Sequence, residues 1–285
     1  MAAYADIVAI EAVGGTPDKR SEVEEQLNTR LWSEANDEPP IPPARDEYDQ
    51  SFFVQRLATE LHRAVGEIRL VDVDDSDEEF AELERQHQLA RERSLATLSE
   101  LAPNVEVEAA LSKEYMLDGQ MDRRRGQLVA AQSIAIAQQA NELPNEICIV
   151  QGAVHTDTQI SLAHQGFQTD RVFVTQPGEH ELELVHYSPG LQASREVAIG
   201  LREHPKPETI RKVHVDQLYT RTGWHERYAN FDIANHLSER EINHLLSEID
   251  VIKQEDAVSK FDKRSQIKTI LDRYADAVME RELNH

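Results

Sequence analysis

The stretch Ile147-Cys-Ile-Val-Gln-Gly-Ala-Val-His155 constrains this chain more than any other. A short apolar run, ended by a glycine and followed by helical spacing from Thr158 to Gln165, reads as a strand turning sharply into a helix. Gly166 and a second apolar run, Arg171-Val-Phe-Val174, come next. Two further short apolar runs, Asp6-Ile-Val-Ala-Ile-Glu11 and Ile68-Arg-Leu-Val-Asp-Val73, lie upstream and alternate with helix-like segments. This alternation predicts an α/β fold over residues 1–190: a mostly parallel sheet flanked by helices. Glu181-Leu-Glu-Leu-Val-His186 alternates with period two and is expected as an antiparallel edge strand.

Between these runs, Pro17 opens a helix that extends to about Glu34, and Pro39, Pro40, Pro42 and Pro43 require an extended loop. Phe52, Phe53, Leu57, Leu61 and Val65 have helical spacing, with Gly66 closing the helix. A long charged helix up to Leu101 is expected to turn Phe80, Leu83, Leu95 and Leu98 inward, and Pro103 ends it. The next helix is expected from about Asp122 to Glu142. Residues 191–285 read as an acidic helical extension. Ser238 and Glu241 have the spacing of a capping box, ahead of Ile242, Leu245, Leu246 and Ile249. Phe261, Ile267, Ile270, Leu271, Tyr274 and Val278 form a second stripe. Both stripes fit core contacts or the faces of a homo-oligomer.

The formal charge of -23 sets the partners. It repels nucleic-acid backbones and anionic membranes, so neither is expected, and it suits a surface kept hydrated in salt-rich surroundings. No apolar run reaches the length of a membrane span, and the first residues lack the pattern of a secretory signal. A soluble, cytoplasmic protein is the expectation. Cys148 is the only cysteine. That rules out an internal disulfide or a cysteine zinc cluster, and its place in an apolar run suits a small hydrophobe.

The chemistry points to the Gly152–His155 turn. A histidine leaving the carboxyl end of a parallel strand can bind metal, carry a proton or hydrogen-bond across its own turn. Glu11 and Asp72 end or adjoin strands expected at the same edge, so the three side chains would converge on one crevice. One imidazole with two carboxylates suits Zn²⁺ or Mn²⁺, and the same set can do acid–base work without metal. Asp74, Asp75 and Asp77 fit the N-terminal end of a helix, and Asp75 and Asp77 are read as capping residues. Of Arg123, Arg124 and Arg125, one is expected to meet a carboxylate or an anionic substrate and the other two to lie on the surface. His180 and His186 stand too far apart along a strand to share a metal. H-E-x-x-H, G-x-S-x-G, Walker and G-x-G-x-x-G motifs are missing, which disfavours several large enzyme classes.

In their order, these segments resemble the TraB/ChaN/EreA-like superfamily. Ala5-Asp-Ile-Val-Ala-Ile-Glu11 resembles its "P-D-x-V-x-V-E" strand, and Ile68 to Asp74 its next strand. Arg125-Gly-Gln-Leu-Val-Ala130 resembles its arginine-headed helix start, and Ile149 to Thr156, with Leu162 and Gly166, its second G-x-x-H motif. The likeness covers roughly residues 5 to 175. It implies an α/β fold and, in some members, metal-dependent proteolysis through two G-x-x-H motifs, while others bind haem or hydrolyse esters. By the resemblance, His155 and Glu11 are catalytic and metal-binding, with Asp72 assisting. Arg125 lies in the crevice with Gly152 at the substrate, and Arg123 competes with Arg125 for its role. The family's first G-x-x-H, expected before the Glu11 strand, is not found here. The expected activity is metal-dependent hydrolysis of a peptide or small-molecule substrate. The alternative is a non-catalytic protein that binds a ligand such as haem, or that oligomerises.

Overall fold

The computed structural model describes residues 7–11, 21, 24, 25, 67–71, 77–139, 147–150, 157–170, 188–200, 202–221 and 233–283. The α/β architecture expected from the sequence is corrected: the described residues are mostly helical. Three strands, β1 (Ile7–Glu11), β2 (Glu67–Val71) and β3 (Ile147–Val150), hold 5, 5 and 4 residues. Against them stand α1 (Glu78–Glu100) with 23 residues and α2 (Asn104–Gln139) with 36. Further helices are α3 (Asp157–His164), α4 (Pro189–Ala198), α5 (Pro207–Arg221), α6 (Ile233–His236), α7 (Glu239–Gln254) and α8 (Lys260–Leu283). The proline loop, the Phe52–Val65 helix and the expected strands at 171–174 and 181–186 lie outside the described residues.

Two compact units emerge, residues 1–82 with 123–173, and residues 83–122 with 174–285. In the first, β1 pairs in parallel with β2 on one side and β3 on the other, giving the order β2-β1-β3. Ala9, Val71 and Val129 are buried together, with Ile136 and Ile149 packed against them, so α2 covers this small sheet through Val129. The central strand is apolar at every position but its last, as expected of a strand covered on both faces.

The described residues of the second unit are helical, and two apolar clusters stand out among them. One gathers Leu98, Val107, Leu111, Ala193, Ile210 and Val213. The larger one joins Val215 and Leu218 of α5 to Ile242, Leu245, Leu246 and Ile249 of α7 and to Ile267, Leu271 and Val278 of α8. The Tyr219 hydroxyl, buried in this cluster, donates to the Leu271 carbonyl at 2.8 Å. The α7 stripe and its capping box form as the spacing predicts. Ser238 Oγ accepts from the Glu241 N–H, and the Glu241 carboxylate accepts from the Ser238 N–H at 2.8 Å.

Three details depart from expectation. Leu95 is 42 % exposed and Phe261 79 % exposed, so neither faces a core. The inward side of α1 is instead Ser94, Thr97 and Leu98. The Ser94 hydroxyl is accommodated because it donates to the Glu114 carboxylate on α2. Finally, α2 begins at Asn104, directly after Pro103, rather than near Asp122. One of its internal glycines, Gly119, is a contact and not a break: a Cβ there would overlap Ser194 O and lie 2.7 Å from Val197 Cβ of α4.

Leu245 is fully buried, so Leu245→Ala should cost about 3 kcal/mol in urea unfolding. Ser238→Ala, which removes only the cap, should cost about 1 kcal/mol.

Candidate functional site

The order β2-β1-β3 means that the chain steps from β1 to one side and then crosses to the other. Strand order among the described strands therefore reverses at β1, with β2 on one side of it and β3 on the other. Open sheets form ligand crevices at such points. Register fixes what stands at this edge. Glu11 is the last residue of β1 and is paired with Val71, the last of β2, while Ile10 is paired with Val150, the last of β3. Neighbouring strands run about 4.8 Å apart. In sequence, Asp72 directly follows Val71, and Gly152 and His155 follow Val150 by two and five residues. Asp72, Gly152 and His155 lie outside the described residues, as do Asp74, Asp75, His180 and His186.

In sequence α1 follows β2 and α3 follows β3, and α2 touches the first turn of each. Asp77 caps α1, its Oδ1 accepting the Phe80 N–H at 2.7 Å. Arg124 of α2 grips the same carboxylate with two bonds, Nε to Oδ1 at 3.2 Å and Nη2 to Oδ2 at 2.6 Å. Arg124 Nη1 also lies 3.2 Å from Glu79. The hydrogen bond from Arg124 holds the Asp77 carboxyl below its ordinary value; burial opposes this, and the Phe80 N–H adds to it. Two residues along, Gly126 meets the start of α3. A Cβ at 126 would overlap Asp157 Cβ and lie 2.8 Å from Thr158 N. Asp157 and Thr158 are buried, so this contact fits the two backbones together tightly.

The arginine run thus divides differently from expectation. Arg124, which the resemblance left without a role, is the residue that meets a carboxylate. Arg125 is half-buried, with its guanidinium carbon 5.7 Å from the centroid of the Phe80 ring, a cation–π contact that turns it toward the first turn of α1. Arg123 is half-buried as well. Asp77 is the capping residue that its sequence context suggests. Cys148 is half-buried in β3, and burial pushes its thiol up, away from nucleophile behaviour.

The structure therefore brings Glu11 to the end of β2, whose next residue is Asp72, and sets α2 at Arg124–Gly126 against the first turns of α1 and α3. Sequence reasoning missed Arg124, Gly126 and Asp157. The usable signal was Asp157 itself, a helix-starting acid two residues after His155. The Glu11–Val71 register sets the backbone of Glu11 level with the end of β2. Among the described residues no group of three His, Cys, Asp or Glu side chains could hold a metal. No helix among the described residues is long and apolar enough to cross a membrane. No protein-family model, curated protein or solved structure matches the chain.

Asp77→Ala removes both the cap and the arginine clamp and should destabilise the first unit by about 2 kcal/mol at neutral pH. The folded carboxyl titrates below its ordinary 3.8, so the contribution is complete above that value and fades as pH falls through the lowered one. Thermal melts of wild type and variant should therefore differ at pH 7 and converge in strong acid.

Proposed function

We propose that this protein is a metal-dependent hydrolase of peptide or ester bonds, working at the carboxyl edge of β1 and β3. The observation that carries the reading is the reversal of strand order at β1, with Glu11 closing that strand. The resemblance of the 149–156 segment to a G-x-x-H motif adds to it. Glu11, Asp72 and His155 would hold the ion, Zn²⁺ or Mn²⁺. When bound, such an ion lowers the pKa of coordinated water and polarises a carbonyl.

The chain's own residues have separate tasks. Glu11 and His155 would also exchange the proton that moves during water attack. Arg125 would orient an anionic group of the substrate, with Arg123 the competing choice for that role, and Gly152 would leave room for a substrate at the turn. Arg124 is committed to Asp77, so its part is to hold the first turn of α1 in place.

Elemental analysis of purified protein and of His155→Ala, after mild dialysis, tests this. Wild type should carry about one equivalent of a transition metal that the variant loses. No metal in either protein after loading with Zn²⁺ or Mn²⁺ would overturn the reading.

A second reading, assembly through the C-terminal helices, has its own support. Val105, Val251 and Phe261 are 73 %, 61 % and 79 % exposed. They flank the place where α2 begins, α7 ends and α8 starts, tied there by Asn104 N–H to Asp250 at 2.9 Å and Lys263 Nζ to the Lys253 carbonyl at 2.7 Å. Replacing Val251 and Phe261 together by Asp should lower the mass measured by light scattering if this face joins copies of the chain. An unchanged mass excludes it.

A further inference from the structure

His214 is fully buried on α5. Its neighbours in sequence divide between the two apolar clusters of the helical unit, Val213 belonging to one and Val215 to the other. The imidazole therefore sits on the seam where these clusters meet. Neither ring nitrogen has a hydrogen-bond partner among the described residues. Glu108 Oε1 of α2 is 3.7 Å from Nδ1, an ion-pair distance beyond hydrogen-bond reach.

From α7, Asp250 and Lys253 act on the same ring. Lys253 is itself buried, and its ammonium donates to Asn104 Oδ1 at 2.7 Å, while Asp250 accepts the Asn104 N–H. One polar knot thus joins the first turns of α2, the middle of α5 and the last turn of α7, with His214 its most deeply buried member. A proton on this ring would place a charge in the buried seam, with the Glu108 carboxylate at ion-pair distance but not hydrogen-bonded, and the Lys253 cation also acting on the ring. Burial disfavours the charged ring first; Glu108 and Asp250 oppose that effect and Lys253 adds to it.

We propose that His214 is an acid-sensitive latch: while the ring is uncharged, α2, α5 and α7 close over it, and when it gains a proton the helices part along the seam between the two apolar clusters. This device belongs to the helical unit and does not depend on the hydrolase reading.

Hydrogen exchange on the full chain, between pH 5 and 8 at constant salt, tests it. After correction for intrinsic rates, opening of α5 and α7 amides should be level above about pH 6.5 and rise toward tenfold per pH unit below it. The range stays above that in which ordinary carboxylates titrate. In His214→Phe the rise should disappear. The same rise in the variant, or none in wild type, would overturn the proposal. If His214→Phe does not fold, His214→Gln takes its place. NMR titration of the wild-type ring gives a separate decision: a native imidazole titrating at or above about 6.5 refutes the latch, and one titrating below it supports it.

Discussion

Helix α2 can be met at backbone distance at two points because Gly119 and Gly126 carry no Cβ. At the first, Ser194 and Val197 of α4 occupy the space that a side chain would need; at the second, Asp157 and Thr158 of α3 do. Both contacts are made within their own compact unit, and each seats a neighbouring helix. Gly126 sets the start of α3, the helix that follows the His155 segment. Gly119 sets α4, whose Ser194 hydroxyl then bonds the Asp118 carboxylate beside it. A glycine in a helix interior costs about 1 kcal/mol relative to alanine. Here that cost is offset by packing that any larger residue would prevent.

The sequence was legible where apolar residues obey a single period. The runs around Ile7, Ile68 and Ile147 became strands, and Ser238, Glu241 and the four apolar residues behind them became a capped, buried helix face. It was illegible where burial is polar. Ser94 and Thr97 line the inward side of α1, so a reading that counts leucines turns that helix toward Leu95. His214 lies between two valines in a helix buried on several sides, where no amphipathic stripe marks an inside. The fold class failed for a related reason. Short strands stand out as continuous apolar runs, while α2 spreads its buried residues along 36 positions and so its first part, from Asn104 to about Met121, went unread. At the candidate site, Glu11 and the arginine run could be found, but not which arginine meets the carboxylate. That depends on the facing of α2 against α1, a tertiary fact.

In a chain of charge -23, several described arginines tie separate elements together. Arg124 holds a helix cap, Arg211 reaches Glu239, Arg273 reaches Glu248 and Arg281 reaches Glu241. Arg221 and Arg264 bond the Ser99 hydroxyl and carbonyl near the end of α1. Each joins separate elements, and the planar guanidinium suits this work because it offers several donors without losing its charge. Exposed pairs of this kind contribute little one by one. Their value is to settle which helix faces which, while apolar burial supplies most of the stability.

The turn from α1 to α2 passes through Leu101, whose φ of 58° lies in the left-handed region that glycine usually fills. The Ala102 N–H closes it by bonding the Thr97 carbonyl at 3.0 Å, and the Leu101 side chain packs on the larger apolar cluster. A residue in this conformation is strained by about 1 kcal/mol or more, and its side chain ties the bend to the core. The turn therefore acts as a phase lock. One added residue would rotate the start of α2 by about 100°, carrying Glu114 away from Ser94 and Glu108 away from His214. What this bend keeps constant is angle, and every polar pairing between the two helices inherits it.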